Sequence, residues 1–158
     1  MAAQMEVAVG IVWRGDCFLA SKRPRQMPLA GYWEFPGGKI EEGESPYSAL
    51  CRELEEELGI FVQKAEFWKI FTHFYARHAV EVRLHFFHVR AFLKEPAPLE
   101  GQNLHWVNPA EAKNMDFLPA DIAVLAELCT GNVAQAEDPR QAAVPAGALT
   151  GGISEKRR

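Results

Sequence analysis

Residues 45–59, SPYSALCRELEEELG, constrain the chain more than any other stretch. Ser45 followed by Pro46 opens a helix: the serine hydroxyl can cap it, and proline fits the first helical position, where its missing N–H has no partner to lose. Gly59 is the matching stop, because glycine takes the left-handed conformation there without a Cβ clash. Between them Tyr47, Leu50, Cys51, Leu54 and Leu58 recur at helical spacing and form one apolar stripe. A helix with one such stripe must lie on an apolar layer, so the remaining chain has to supply it.

Glu53, Glu56 and Glu57 stand together on a second face at i, i+3 and i, i+4 separations, toward the negative end of the helix dipole. Like charges so spaced oppose the helix by about 0.2–0.5 kcal/mol per pair. Two readings fit the cluster, a solvated acidic face or a set of cation ligands. Arg52 is the only cation within the helix, so alternating signs do not relieve the crowding, and Lys39 follows a Gly37-Gly38 pair just upstream. Hard oxygen donors gathered on a rigid element suit Mg²⁺ or Mn²⁺, which keep several waters and share their shell with substrate phosphates. Gly37-Gly38 reads as a turn where backbone can approach a ligand. It fits neither the dinucleotide-binding nor the P-loop pattern.

The layer for the helix comes from strands. Residues 5–13 and 16–22 read as a hairpin, 67–75 and 80–92 as two long strands, and 103–107 as a further strand. Residues 23–37 form a long loop with one short strand over 32–35. Asn108-Pro109-Ala110-Glu111 has the spacing of a capping box, and a last helix over 119–129 puts Ile122, Leu125 and Cys129 on one side. At 158 residues the chain makes one domain, residues 1–130, followed by a flexible tail over 131–158 that holds no aromatic residue.

A net charge of −4 and a pI near 5.7 argue against a partner of duplex nucleic acid. No basic leader precedes an apolar run and no apolar run is long enough to span a membrane, so neither export nor a membrane partner is expected. Cys17, Cys51 and Cys129 lie far apart without a C-x-x-C pair, which points to a reducing, cytoplasmic setting rather than to disulfides or thiolate zinc. The sequence leaves the oligomeric state open, a monomer being compatible with it.

Gly38, Glu44, Arg52, Glu53, Leu54, Glu56, Glu57, Gly59 and Ile60 match the pattern G-x5-E-x7-R-E-U-x-E-E-x-G-U, with U apolar, at every fixed position. The chain thereby resembles the Nudix hydrolases. "VAVGIV", "WEFPGGKIE", "EGQNLHWV" and "DFLPADI" are similar to the corresponding stretches of the MutT-like 8-oxo-dGTP diphosphatases, so the likeness covers residues 5–130. It implies an α/β fold, an α/β/α sandwich around a mixed β-sheet. It implies Mg²⁺ as cofactor, with Mn²⁺ as the other candidate, held by Glu53, Glu56, Glu57, Glu100 and the carbonyl of Gly37. Glu44 and Arg52 would complete the catalytic set by supporting those ligands. Gly38, Lys39, Arg23, Phe35, Arg77 and Asp121 would bind substrate.

The implied reaction is hydrolysis of a nucleoside triphosphate to monophosphate and pyrophosphate, which cleanses the nucleotide pool and so serves faithful DNA replication and repair. Read without the resemblance, Arg23 is equally a solvated strand end, Phe35 a core aromatic, Glu100 an ordinary loop residue and Asp121 a residue suited to a helix N-terminus. Asp121 also departs from the bacterial MutT enzyme, which has asparagine there. An ionised carboxylate accepts from the N–H that oxidation creates on guanine, and equally from the exocyclic amine of cytosine. A CTP or dCTP pyrophosphohydrolase is therefore the alternative enzyme. A nucleotide sensor without turnover is the alternative of another class, which a lost ligand glutamate would favour; none is lost.

Overall fold

The computed structural model describes residues 3–130. The expected tail over 131–158 lies outside the described residues. Seven strands form one sheet: β1 (Ala3–Arg14), β2 (Cys17–Lys22), β3 (Trp33–Glu34), β4 (Gly37–Lys39), β5 (Phe61–Tyr75), β6 (Val80–Leu93) and β7 (Asn103–Val107). The order is β3-β2-β1-β6-β5, with β4 added to β1 and β7 to β2. β1 runs parallel to β6 from Ala3↔Val80 to Val12↔Val89, and its other partners are antiparallel, so the sheet is mixed as expected.

β1 is apolar on both faces because both are covered. Val9, Ile11 and Trp13 join one buried cluster with Phe18, Phe86, Phe117 and the buried residues of helix α3 (Ile122–Cys129). Ala8 and Val12 join a second with Leu50, Leu54 and Leu58 of helix α1 (Pro46–Leu58). The short helix α2 (Pro109–Ala112) opens on the predicted capping box: the Asn108 side chain accepts from the Glu111 amide and the Glu111 side chain from the Asn108 amide. The result is the α/β/α sandwich. None of the helices among the described residues is long and apolar enough to cross a membrane.

Four local expectations are corrected. β5 begins at Phe61, well before residue 67, because register shifts at Val62/Lys64, Lys64/Ala65 and Phe67/Lys69 break the alternation by which a strand is recognised. The short strand over 32–35 contracts to Trp33–Glu34, held by Lys22 and Ser21 of β2. Gly37-Gly38 is strand rather than turn: β4 pairs Gly37 with Val9, Gly38 with Ala8 and Lys39 with Val7. Residues 119–121 form a 3₁₀ turn before α3, which rotates the helix so that Val124, Leu125 and Leu128 are buried and Ile122 is 57% exposed.

Leu54, fully buried between α1 and the sheet, and Ile122 test this packing. Leu54→Ala is expected to cost about 2–5 kcal/mol in chemical denaturation, since it removes buried methyl groups and leaves a cavity. Ile122→Ala is expected to stay within about 0.5 kcal/mol of the parent protein, as an exposed side chain should.

Candidate active site

Helix α1 carries the acidic face where its ends and stripe direct it. Ser45 Oγ accepts from the Ser48 amide at 3.1 Å, and Gly59, at φ 71°, donates its amide to the Glu55 carbonyl. Leu50, Leu54 and Leu58 are fully buried against β1 and fix the rotation of the helix, which turns Glu53 and Glu57 toward β4. The glycines of β4 allow close approach, Gly38 to Glu53 of the helix and Gly37 to the backbone of β1. A Cβ on Gly38 would stand 2.3 Å from the Glu53 carboxyl carbon, and one on Gly37 would stand 2.1 Å from the Ala8 carbonyl oxygen. The Gly37 amide points at Glu57 Oε1, at 3.4 Å.

Arg52 ties the cluster together. Its Nε and Nη2 donate to the two oxygens of Glu44 at 2.6 and 2.9 Å, the bidentate geometry in which guanidinium binds carboxylate most strongly. Nη1 donates to Glu53 at 2.9 Å and to Glu56 at 3.3 Å, and Nη2 also reaches the Lys39 carbonyl at 3.0 Å. Arg52 holds the Glu44 carboxyl down to about 2, aided by the Glu41 amide.

Glu57 is in the opposite situation. Burial raises its pKa first, and the Glu53 carboxyl beside it, with the charges of Glu100 and Glu34, raises it further. Burial, then Glu53 and Glu56, also push Glu100 up. Among the described residues no cationic side chain pairs with Glu57, so a desolvated carboxyl faces other carboxyls with the long hydrogen bond from the Gly37 amide as its counterweight. Glu100 shares with Glu57 a cavity of about 130 Å³. Its loop is pinned by Gln102, whose side chain accepts from the Glu100 amide and donates to the Glu57 carbonyl.

These donors fit a divalent ion in kind, being hard oxygens with one carboxyl in want of positive charge. Among the described residues no three side chains converge as a cation cage, and Arg52 lies against Glu53 and Glu56. Glu56 is 55% exposed and is not locked in place by packing.

A second cavity, about 270 Å³, opens beside the first and is lined by Phe35, Gly38, Lys39, Tyr75 and Asp121 among others. Phe35 both lines it and belongs to the core, against Phe18, Phe86 and Phe117. Asp121 is buried, and burial followed by the Glu34 charge raises its carboxyl well above the usual range; the Phe35 amide and Arg23 pull the other way. Arg23 reaches both cavities, its Nη1 donating to Glu34 at 2.9 Å.

Of the expected site residues, Glu44, Arg52, Glu53, Glu56, Glu57, Gly37, Gly38, Lys39, Glu100, Arg23, Phe35 and Asp121 are brought to this region. Arg77 is not: it sits in the 3₁₀ turn Ala76–His78 that joins β5 to β6, lines neither cavity and contacts none of the clustered carboxyls, although Tyr75 just before the turn lines the second cavity. Glu34, Tyr75 and Gln102 line the site without having been expected there. For Glu34 a signal was available, an acidic residue in a two-residue strand beside the glycine pair.

The crowding has a consequence for the metal-free protein. A carboxyl with a raised folded pKa keeps its proton where the unfolded chain has lost it, so stability falls as pH rises above the ordinary carboxyl value of 4.5. Glu44 acts in the other window, its contribution being lost as pH falls from 4.5 toward about 2. In EDTA, thermal melts are expected to show Tm falling between pH 5 and 9, roughly 2–8 °C for each 1 kcal/mol. Glu57→Gln is expected to flatten that slope and to melt higher than the parent at pH 8.

The profile described as NUDIX domain matches residues 4–128. The CTP pyrophosphohydrolase of Escherichia coli K12 is 40% identical over 121 residues, 77% of this chain and 88% of that protein. The 8-oxo-dGTP diphosphatase of the same strain is 38% identical over 128 residues, 79% of this chain and 96% of that protein. Among solved structures, a MutT from work on Aliivibrio salmonicida and Vibrio cholerae matches at 34% identity and a TM-score of 0.71, over 81% of this chain and 98% of its own. The E. coli ORF135 protein matches at 36% identity and a TM-score of 0.74, over 87% of this chain and 96% of its own. A helix seated by its leucines on β1, with its glutamates turned to the glycines of β4, thus occurs in a chain that belongs to the NUDIX domain family.

Proposed function

We propose that the chain is a divalent-metal-dependent nucleoside triphosphate pyrophosphohydrolase acting on 8-oxo-dGTP, releasing monophosphate and pyrophosphate and so cleansing the nucleotide pool. The observation that carries this reading is the pairing of two unlike cavities: one floored by the Glu57 and Glu100 carboxyls, the other ending at the buried Asp121. A nucleotide has the same polarity, a polyanion at one end and a base at the other. The 8-oxo-dGTP diphosphatases among the relatives support the substrate.

Glu53, Glu56, Glu57, Glu100 and the Gly37 carbonyl would hold Mg²⁺, with Mn²⁺ chemically equivalent in such a site. A divalent ion bound there supplies neutralisation of phosphate oxygens and a lower pKa for bound water. The chain's own groups do the rest. Arg52 and Glu44 keep Glu53 oriented, Lys39 and Arg23 supply positive charge to phosphate oxygens, and Phe35 and Asp121 wall the base cavity. Water adds to a phosphorus of the α–β phosphoanhydride, that bond breaks, and monophosphate and pyrophosphate separate, one keeping the bridging oxygen and the other taking the oxygen of the water. The substrate is a free nucleotide, met in the reducing cytoplasm; Cys17, Cys51 and Cys129 are free thiols.

Asp121 also favours a second reading. A neutral acid donates and accepts at once, and so suits the adjacent donor and acceptor of oxidised guanine and those of cytosine. The CTP pyrophosphohydrolase relative belongs with that alternative.

With Mg²⁺, kcat/KM measured on 8-oxo-dGTP, dGTP, CTP, dCTP and 5-methyl-dCTP decides between them. Preference for 8-oxo-dGTP is expected, and preference for a pyrimidine would transfer the assignment to the second reading. EDTA should abolish pyrophosphate release. Glu57→Gln should lower kcat more than about 100-fold, and Arg52→Ala, which only orients ligands, about 10–100-fold. Tight nucleotide binding without pyrophosphate release would overturn the hydrolase assignment in favour of a sensor.

A further inference from the structure

A third cavity, about 520 Å³, backs onto the carboxyl-lined one. Residues 100–103 form part of the wall between them: Glu100 and Gln102 line the carboxyl-lined cavity, while Gly101 and Asn103 line the third. Arg23 and Pro24 line both. The two sides of this wall differ in charge. Glu34, Glu57 and Glu100 put three carboxyls on the first side; no carboxyl lines the third cavity, where Lys22, Arg23 and Arg25 stand with Gln26 and Asn103.

Backbone bonds hold this basic rim in place. β2 sets Lys22 opposite Trp33 of β3 on one side and Asn103 of β7 on the other. The loop that follows is closed at its neck, the Arg23 amide donating to the Tyr32 carbonyl at 2.9 Å and the Gly31 amide to the Arg23 carbonyl at 3.1 Å. Within it the Met27 amide donates to the Pro24 carbonyl at 3.1 Å, which makes Arg25 and Gln26 the central residues of a turn. Basic residues on a strand end and loop are by themselves only a solvated face. Here they surround a concavity, and two of them are not neutralised. Arg23 donates to Glu34 at 2.9 Å, but Lys22 and Arg25 meet no carboxylate among the described residues; the Lys22 ammonium lies 5.6 Å from the centroid of the Trp33 ring. In a chain of net charge −4 this is a local positive field.

Ammonium and guanidinium both bind phosphoryl oxygens, the first as a point charge and the second as a fork. An anion with two linked phosphoryl groups can present oxygens to both cations at once. We propose that the third cavity is a further anion site, separate from the carboxyl-lined one, that takes a diphosphate group between Lys22 and Arg25, with Gln26 and Asn103 donating beside them. The group comes either as free pyrophosphate or as the end of a nucleoside diphosphate. This goes beyond the proposed hydrolysis and does not rest on it, since neither Lys22 nor Arg25 lines the two cavities assigned to the reaction.

The test is calorimetric titration of the full chain in EDTA, where no metal draws phosphate to the carboxyls, with pyrophosphate, GDP, sulfate and a short single-stranded oligonucleotide. Pyrophosphate should bind about tenfold or more tighter than sulfate, and less tightly as NaCl is raised. Lys22→Gln and Arg25→Gln should each weaken it about fivefold or more, and the double variant further, while kcat for triphosphate hydrolysis is unchanged. Movement of Lys22 away from the indole should change tryptophan emission, and Trp33→Phe should remove that change. GDP binding as tightly as pyrophosphate identifies the free group as sufficient; tighter GDP binding with the same dependence on Lys22 and Arg25 identifies the nucleotide as its source.

Pyrophosphate binding no tighter than sulfate in the parent protein would overturn the proposal whether or not any variant folds, and so would unchanged binding in a folded double variant. Loss of kcat in either single variant would make the cavity part of the reaction site and overturn its separateness. An oligonucleotide that binds tighter than pyrophosphate and depends on Lys22 would transfer the cavity to nucleic acid and overturn the diphosphate assignment. Pyrophosphate binding that depends on Lys22 and Arg25, without hydrolysis of any triphosphate, would support this site and overturn the hydrolase.

Discussion

Close approach between one helix and two strands sets the terms for everything else. At Gly10 a Cβ would lie 3.1 Å from Leu50 and 3.2 Å from Leu54, and at Gly38 it would lie 2.3 Å from the Glu53 carboxyl. Helix α1 therefore sits lower on the sheet than side chains would permit, with leucine methyls against β1 and glutamate carboxyls against β4. The apolar part is favourable on its own account, since burial of Leu50, Leu54 and Leu58 removes three large side chains from water. The polar part is not. It brings Glu57 into a desolvated position beside Glu53, and the leucines hold it there.

Arg52 makes this arrangement tolerable without resolving it. One guanidinium reaches Glu41, Glu44, Glu53 and Glu56, and through Lys39 it also ties the helix to β4. Its planar fork matches paired oxygens in a way a lysine ammonium cannot. It spans the outer side of the cluster and leaves Glu57 and Glu100 on the inner side, toward the cavity, where the remaining negative charge is concentrated. Under the proposed function that charge would be neutralised by a divalent cation, which would in turn admit a polyanion that the carboxyls alone would repel.

Some of this was legible in residue order because it depends on local rules. Ser45, Pro46 and Gly59 delimit α1 through capping and left-handed backbone, and the i, i+3 and i, i+4 spacing of Glu53, Glu56 and Glu57 puts them on one face whatever surrounds the helix. The Asn108 box follows the same logic. Strand limits were less legible: the shifts in β5 keep Phe61–Glu66 from alternating cleanly although these residues pair with β6. The last helix differs in phase from its residue spacing: it follows a single 3₁₀ turn, and its buried stripe is Val124, Leu125 and Leu128 rather than one that includes Ile122.

The sequence by itself determined the acidic face, the glycines that admit it and the family to which they belong, since each is a matter of spacing along one helix or one strand. Tertiary structure alone decided which charges share a space. Glu34, Glu57 and Asp121 lie far apart in the chain, and the charge of Glu34 helps raise the pKa of the other two only because β3, α1 and the turn before α3 converge. It also left Arg77 outside and placed Glu34 where the two cavities meet. Proximity across a sheet depends on strand order and register, and charge interactions depend on the burial that this order creates; neither is written in the periodicity of any single segment.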